Sequence, residues 1–250
     1  MTKNEFMQNP HLDGEDFFLR GNPTSFLLIH GFTATTTEVR PMAEKLHQAG
    51  YTTAAPLLPG HGTHPDDLNR STWQMWLEKA KQTYERLMRD DHNRIFIIAE
   101  SMGALLAIEL AAQHPEIDGL ILFSPALKVE GIWLARLLAP FKDYIKKNGK
   151  DDGLPWKGYI VYPVKAMVDL YKLQKHAQTL LPKITQPTLV FTGGQDKKIS
   201  SESIDILLNG LKSTEKHHIN LEKSGHTILL DQQQDEAFEH ILKFINQEIK

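Results

Sequence analysis

The sequence predicts an α/β fold, a mostly parallel sheet of about seven strands flanked by helices. Three observations predict it. Short β-rich runs alternate with helical periodicity along the chain. The run Ile95-Phe96-Ile97-Ile98-Ala99 is apolar at every position, as a strand buried on both faces must be. A chain of 250 residues, 41% hydrophobic and 24% charged, is long enough and ordinary enough to enclose one large core.

The elements follow in order. After a polar lead, residues 17–20 and 25–29 read as neighbouring strands joined at Gly21-Asn22-Pro23. Residues 38–48 read as a helix, with Pro41 tolerated in the first turn and Gly50 stopping it. A strand at 51–55 leads to the loop Pro59-Gly60-His61-Gly62-Thr63-His64-Pro65. Ser71-Thr72-Trp73-Gln74 fits a capping box, with the Ser71 hydroxyl and Gln74 satisfying the first free backbone donors. Behind it Trp73, Trp76, Leu77, Ala80, Tyr84 and Leu87 form one apolar stripe, both tryptophans serving as core anchors. The buried strand 95–99 runs into Ser101 and a helix over 102–113. Strands at 119–123, 188–192 and 217–221 and a closing helix over 237–249 complete the chain.

Residues 126–182 interrupt this rhythm. They separate two core strands by far more than the usual loop of about 2–6 residues. Val164, Met167, Val168 and Tyr171 mark one helix within them, and Leu134, Leu137 and Leu138 another. An insertion with its own helices is expected to cap the carboxyl edge of the sheet, where ligands bind in open α/β folds.

Composition excludes several classes. A net charge of −3 gives no basic excess for binding nucleic acid. With no cysteine there is no disulfide, thiolate metal site or cysteine nucleophile. No apolar run approaches the roughly 18 residues of a membrane span, and the N-terminus lacks an apolar signal region, so a cytoplasmic location is expected. No G-x-G-x-x-G or Walker pattern supports nucleotide binding. His61 and His64 lack further ligands at metal spacing, and no cofactor or metal is expected.

The chemistry centres on Ala99-Glu100-Ser101-Met102-Gly103. A serine between a buried strand and a helix, with tiny residues two positions to either side, suits a sharp turn that exposes its hydroxyl. The helix N-terminus adds backbone N–H groups and positive potential beside it. A capping serine in an ordinary turn would give the same pentapeptide. Serine needs a base to become a nucleophile, and His226, in Lys223-Ser224-Gly225-His226-Thr227, is the candidate. Asp196, in Gly193-Gly194-Gln195-Asp196, follows a strand and can fix the tautomer of His226. His30-Gly31-Phe32 ends another strand, where the Phe32 and Met102 amides can point at a developing oxyanion, with His30 bracing the loop.

These elements, in this order and spacing, resemble the α/β-hydrolase fold. The stretches His30-Gly31-Phe32-Thr33, Leu58-Pro59-Gly60-His61-Gly62-Thr63 and Gly194-Gln195-Asp196 are similar to those of bacterial monoacylglycerol lipases and small carboxylesterases. The resemblance covers roughly Gly14 to the C-terminus. It implies a single α/β-hydrolase domain over residues 1–250 with a cap at 126–182 and a Ser101–Asp196–His226 triad. It also implies an oxyanion hole at Phe32 and Met102, and acyl-ester substrates. The chain departs from the pattern at Ala99, where glycine is usual. Glu100 is expected to be held by hydrogen bonds on the helix shoulder; if its charge faced the site it would favour protonated His226.

The cap is rich in aromatics, and Trp133, Trp156, Tyr159 and Tyr162 are the candidate contacts for an apolar acyl or aryl group; rings gluing the cap to the body would give the same composition. It also holds ten Lys/Arg against five Asp/Glu, so peripheral contact with anionic lipid surfaces is one reading and a solvated basic face the other. The same triad can serve thioesters, amides, peracid formation or C–C cleavage, and a receptor-like binder that has lost turnover is the alternative outside the enzymes. The expected partner is a small ester or lipid; oligomeric state has no sequence signal.

Overall fold

The computed structural model describes residues 5–89, 94–147 and 153–247. Its strands are β1 (Met7–Gln8), β2 (Phe17–Leu19), β3 (Asn22–Ile29), β4 (Tyr51–Ala55), β5 (Arg94–Glu100), β6 (Gly119–Phe123), β7 (Tyr144–Lys146), β8 (Gly158–Tyr159), β9 (Val161–Pro163), β10 (Thr188–Gly193) and β11 (Lys216–Leu221). Between them run helices α1 (Arg40–Gln48), α2 (Pro65–Arg70), α3 (Trp73–Arg89), α4 (Met102–Gln113), α5 (Ala135–Leu138), α6 (Val164–Leu180), α7 (Ser201–Gly210) and α8 (Gln234–Gln247). Positions 248–249 of the expected closing helix lie outside the described residues.

Seven strands form one sheet in the order β11-β10-β6-β5-β3-β4-β2. Every neighbouring pair is parallel except β2 with β4. The chain lays down β3, moves outward to β4, returns to β5 and then builds the other half. The order therefore reverses between β3 and β5, and the crevice past their carboxyl ends is the place where such sheets bind ligands.

The alternation along β5 feeds two cores. Phe96 and Ile98 join Met42 and Leu46 of α1 and Ile241 and Phe244 of α8 on one face. Ile97 and Ala99 join Trp76 and Ala80 of α3 and Leu105 of α4 on the other. All four β5 side chains are fully buried, and each large one stabilises the fold by about 2 kcal/mol relative to exposure. Helix α4 is buried all round because the sheet covers one side and α6 and α3 the other.

Three expectations need correction. Ser71 is not the cap of α3: its hydroxyl donates to the Leu68 carbonyl and accepts from the Trp76 ring N–H, while Thr72 Oγ1 accepts the Met75 amide at 3.4 Å. Helices α2 and α7 were not predicted. α2 starts at Pro65, with His64 Nδ1 accepting the Asp66 amide as N-cap. Residues 126–182 contain the two expected helices but also three short strands, β8 pairing with β1 and β7 with β9, both antiparallel. Helix α6 ties this segment down: Gln174 and Gln178 donate to the carbonyls of Ala126 and Leu127, and His176 bonds the buried Glu109 of α4 at 2.6 Å.

Candidate active site

Ser101 joins β5 to α4 with φ 55° and ψ −112°, a conformation costing a non-glycine residue on the order of 1–3 kcal/mol. The surroundings hold it there. Its N–H donates to the Phe123 carbonyl at 2.8 Å, and its carbonyl accepts the Ala126 amide at 3.2 Å. A Cβ on Gly103 would stand 2.4 Å from the Ile29 carbonyl oxygen, so only glycine lets α4 pass this close to β3. Ala99, the departure from the usual glycine, packs its methyl into the core with no exposure.

Two glycines bring Asp196 and His226 together. A Cβ on Gly193 would lie 2.0 Å from the Gly225 carbonyl oxygen, and one on Gly194 would lie 2.7 Å from Cα of Glu222. The end of β10 thus runs against the loop that carries His226. That loop is fixed by the Gly225 amide donating to Asp231 Oδ2 at 2.7 Å. His226 Nδ1 then meets Asp196 Oδ2 at 2.8 Å, and its Nε2 meets Ser101 Oγ at 3.0 Å. With Nδ1–H donating to the carboxylate, Nε2 keeps a lone pair for the serine proton. Asp196 Oδ1 accepts the amides of Lys198 and Ile199. Burial pushes the Asp196 carboxyl up, but the His226 hydrogen bond and charge, joined by those amides, outweigh it and hold the group below its ordinary value.

Opposite this line lies the loop after β3. Among the described residues, the Phe32 and Met102 amides donate no hydrogen bond within the chain. His30 is fully buried: Nε2 accepts the Leu58 amide at 3.1 Å, so Nδ1 carries the proton and donates to the Gly31 carbonyl at 2.9 Å. Burial lowers its pKa to about 4, which keeps it a neutral brace, as expected of it. The Gly31 amide donates to Glu38 Oε2 at 2.5 Å. Sequence reading missed Glu38, which sits behind three threonines in a short 3₁₀ turn and resembles a surface position.

The four aromatic candidates separate. Tyr162 stacks on Phe32 in the loop after β3, rings 6.5 Å apart and 6° from parallel. Trp156 is half-buried beneath the Lys147 ammonium, which also lies over Tyr162 and donates to Thr33 Oγ1. Trp133 is half-exposed and lines a cleft of about 460 Å³ with Leu127, Tyr171, Gln174 and Ile206. Tyr159 is a correction: it is fully buried, donates its hydroxyl to the Gly60 carbonyl and accepts the Thr63 amide, so it fastens β8 to the loop of residues 59–65. Glu100 is another. Its carboxylate is not held on the helix shoulder; it is fully buried and neither oxygen has a hydrogen-bond partner.

Known proteins repeat this architecture. The chain is 33% identical to a thermostable monoacylglycerol lipase of Bacillus sp. (strain H-257), over 95% of this chain and 96% of that protein. It is 28% identical to a carboxylesterase of Bacillus subtilis (strain 168), covering 92% and 95%. A solved structure from work on LipS and LipT, two metagenome-derived lipolytic enzymes, superposes with TM-score 0.88 at 29% identity, covering 94% of this chain and 98% of that one. Residues 23–154 and 160–233 match the family Hydrolase_4, described as serine aminopeptidase, S33. With the serine turn between β5 and α4 and the crevice between β3 and β5, that match identifies the chain as a member of Hydrolase_4, built on the α/β-hydrolase fold.

Proposed function

We propose that the chain is a serine hydrolase of carboxylic esters, acting on monoacylglycerol-type or other short-to-medium acyl esters, with residues 126–182 as its cap. The observation that carries this is the unbroken line Ser101 Oγ–His226–Asp196 at 3.0 and 2.8 Å, starting from a backbone turn strained to present the serine. His226 takes the Ser101 proton as Oγ attacks the ester carbonyl. The Phe32 and Met102 amides receive the oxyanion, each donor being worth on the order of 3 kcal/mol of barrier. The imidazolium passes its proton to the leaving alcohol, and water activated by His226 releases the acid from the acyl-serine.

Charge favours an ester over a peptide with a free amino terminus. An α-ammonium group needs carboxylates to receive it, whereas the cap carries ten Lys/Arg against five Asp/Glu. The names of the two bacterial relatives support the same choice. The outer face of the cap supports contact with lipid. Around α5 the alternation is inverted: Ile132 and Ala135 are buried, while Leu137 is 61% exposed and Phe141 84%. Exposed Trp133 and Leu134 join them, with Arg136 and Lys142 alongside. An apolar patch edged by cations suits the surface of an anionic lipid aggregate.

Hydrolysis of p-nitrophenyl esters from acetate to palmitate, with Ser101→Ala in parallel, tests the reading. Turnover is expected to fall about a million-fold in the variant. An inactive wild type across the series, or a Ser101→Ala variant that turns over as fast as the wild type, refutes it.

A further inference from the structure

Two buried carboxyl groups stand directly behind this site with no role in the reaction. Glu38 and Glu100 are 7% and 0% exposed. Glu38 Oε2 holds the Gly31 amide at 2.5 Å, and a Cβ on Gly31 would touch both that oxygen, at 3.0 Å, and Ser101 Cβ, at 3.3 Å. The Glu38 carboxyl therefore lies against the peptide that precedes Phe32. Glu100 precedes the nucleophile and faces the turn Ile228–Leu230, just beyond His226.

We propose that Glu38 and Glu100 form a positioning pair that retains one proton at neutral pH. With Glu100 neutral, the single charge stays on Glu38, which fixes the Gly31 peptide so that the Phe32 amide aims at the oxyanion. This rests on the ester-hydrolase reading for its catalytic consequence but not for the protonation itself.

Two arguments support it. A buried carboxylate short of hydrogen bonds is far costlier than a neutral acid, and neither Glu100 oxygen meets a donor at full hydrogen-bond geometry. Burial first, and the neighbouring Glu38 second, push the Glu100 carboxyl well above its ordinary value, against the opposing pull of the Leu229 and Ile228 amides and of Lys198; burial also raises Glu38, against the opposing pull of the Gly31 amide. The charged or titratable groups around the pair are His226, Lys198 and Lys147, with the Ile228 and Leu229 amides facing Glu100. The single charge on Glu38 also favours the imidazolium that His226 becomes during attack.

Infrared spectra of the unliganded protein at neutral pH provide a readout independent of turnover. The carbonyl stretch of a protonated carboxylic acid is expected in the wild type and absent in Glu100→Gln. No such band, or one unchanged by the substitution, overturns the proposal even if the enzyme is an active esterase. In kinetics, Glu38→Ala is expected to lower kcat on the order of a hundred-fold with KM unchanged, the signature of a misdirected oxyanion donor. Glu100→Ala should lower kcat, and Glu100→Gln, which cannot ionise, should restore most of it and remove the loss of activity at alkaline pH. A folded Glu38→Ala protein with wild-type kcat, or an alkaline limb unchanged in Glu100→Gln, contradicts the pair. Should Glu38→Ala fail to fold, the infrared comparison still decides.

Discussion

The carboxyl edge of the sheet and the segment inserted above it break opposite rules of burial. At the edge, ionisable groups are buried: Glu38, Glu100, His30 and His61 are all less than a tenth exposed. In the segment, large apolar groups are exposed, with Phe141 almost bare. A core built for stability alone would do neither. The edge gives up stability to hold fixed dipoles beside Ser101, whereas the segment leaves exposed a face that suits an apolar phase. The difference fits the proposed division, with chemistry at the edge and contact with the substrate's surroundings at the segment.

The sharpest way to break this comparison is at the acid. Asp196→Asn keeps the shape but offers His226 an amide in place of a carboxylate, so the tautomer with a free Nε2 is no longer enforced. kcat is expected to fall about ten-thousand-fold with little change in KM. Steady-state kinetics on a soluble ester checks this, and a loss below about ten-fold would move Asp196 out of the reaction.

His30 tests whether burial at the edge has a stability cost. Desolvation lowers its pKa from 6.5 to about 4, so the unfolded chain takes up a proton that the folded one refuses. Its contribution is fully present above pH 6.5 and is lost as pH falls towards 4, amounting to about 3 kcal/mol. The raised carboxyls of Glu38 and Glu100 slope the other way, because their folded forms hold protons more tightly. The measurement is therefore the difference between wild type and His30→Gln in denaturant unfolding across that range. The variant should be less stable at pH 7, and the gap should narrow in acid; a constant gap would mean that His30 is solvated.

The same contrast explains what could be read from the sequence. Strands buried on two faces, such as residues 95–99, declare themselves by composition, and the serine, acid and histidine by their order after successive strands. Glu38 does not, because a glutamate following Thr35-Thr36-Thr37 looks like any solvated turn until the fold wraps it behind Gly31. The three strands of the inserted segment have two or three residues each, too few for a period of two to appear. Tyr159 shows the limit of counting aromatics: composition marked the segment as ring-rich but could not separate a ring buried against Gly60 from one stacked on Phe32. Ser71 and Thr72 are adjacent hydroxyl residues, and which of them caps α3 depends on Trp76 reaching back to claim Ser71.

The smallest expected effect lies in the exposed patch. Leu137→Ser with Phe141→Ser removes apolar area that the fold does not use, so stability should change by less than about 0.5 kcal/mol. Hydrolysis of p-nitrophenyl acetate should stay within about two-fold, since both side chains are turned mostly to solvent. Sedimentation with anionic vesicles should weaken, and Arg136→Gln with Lys142→Gln should weaken it further and reduce its salt sensitivity, at about 1 kcal/mol for each cation near the surface. Neutral vesicles separate the two contributions, because only the apolar one should survive there. If the serine pair instead lowers activity on the soluble ester as much as vesicle binding, the patch belongs to the acyl pocket, and the segment shares in the chemistry rather than only in the approach to it.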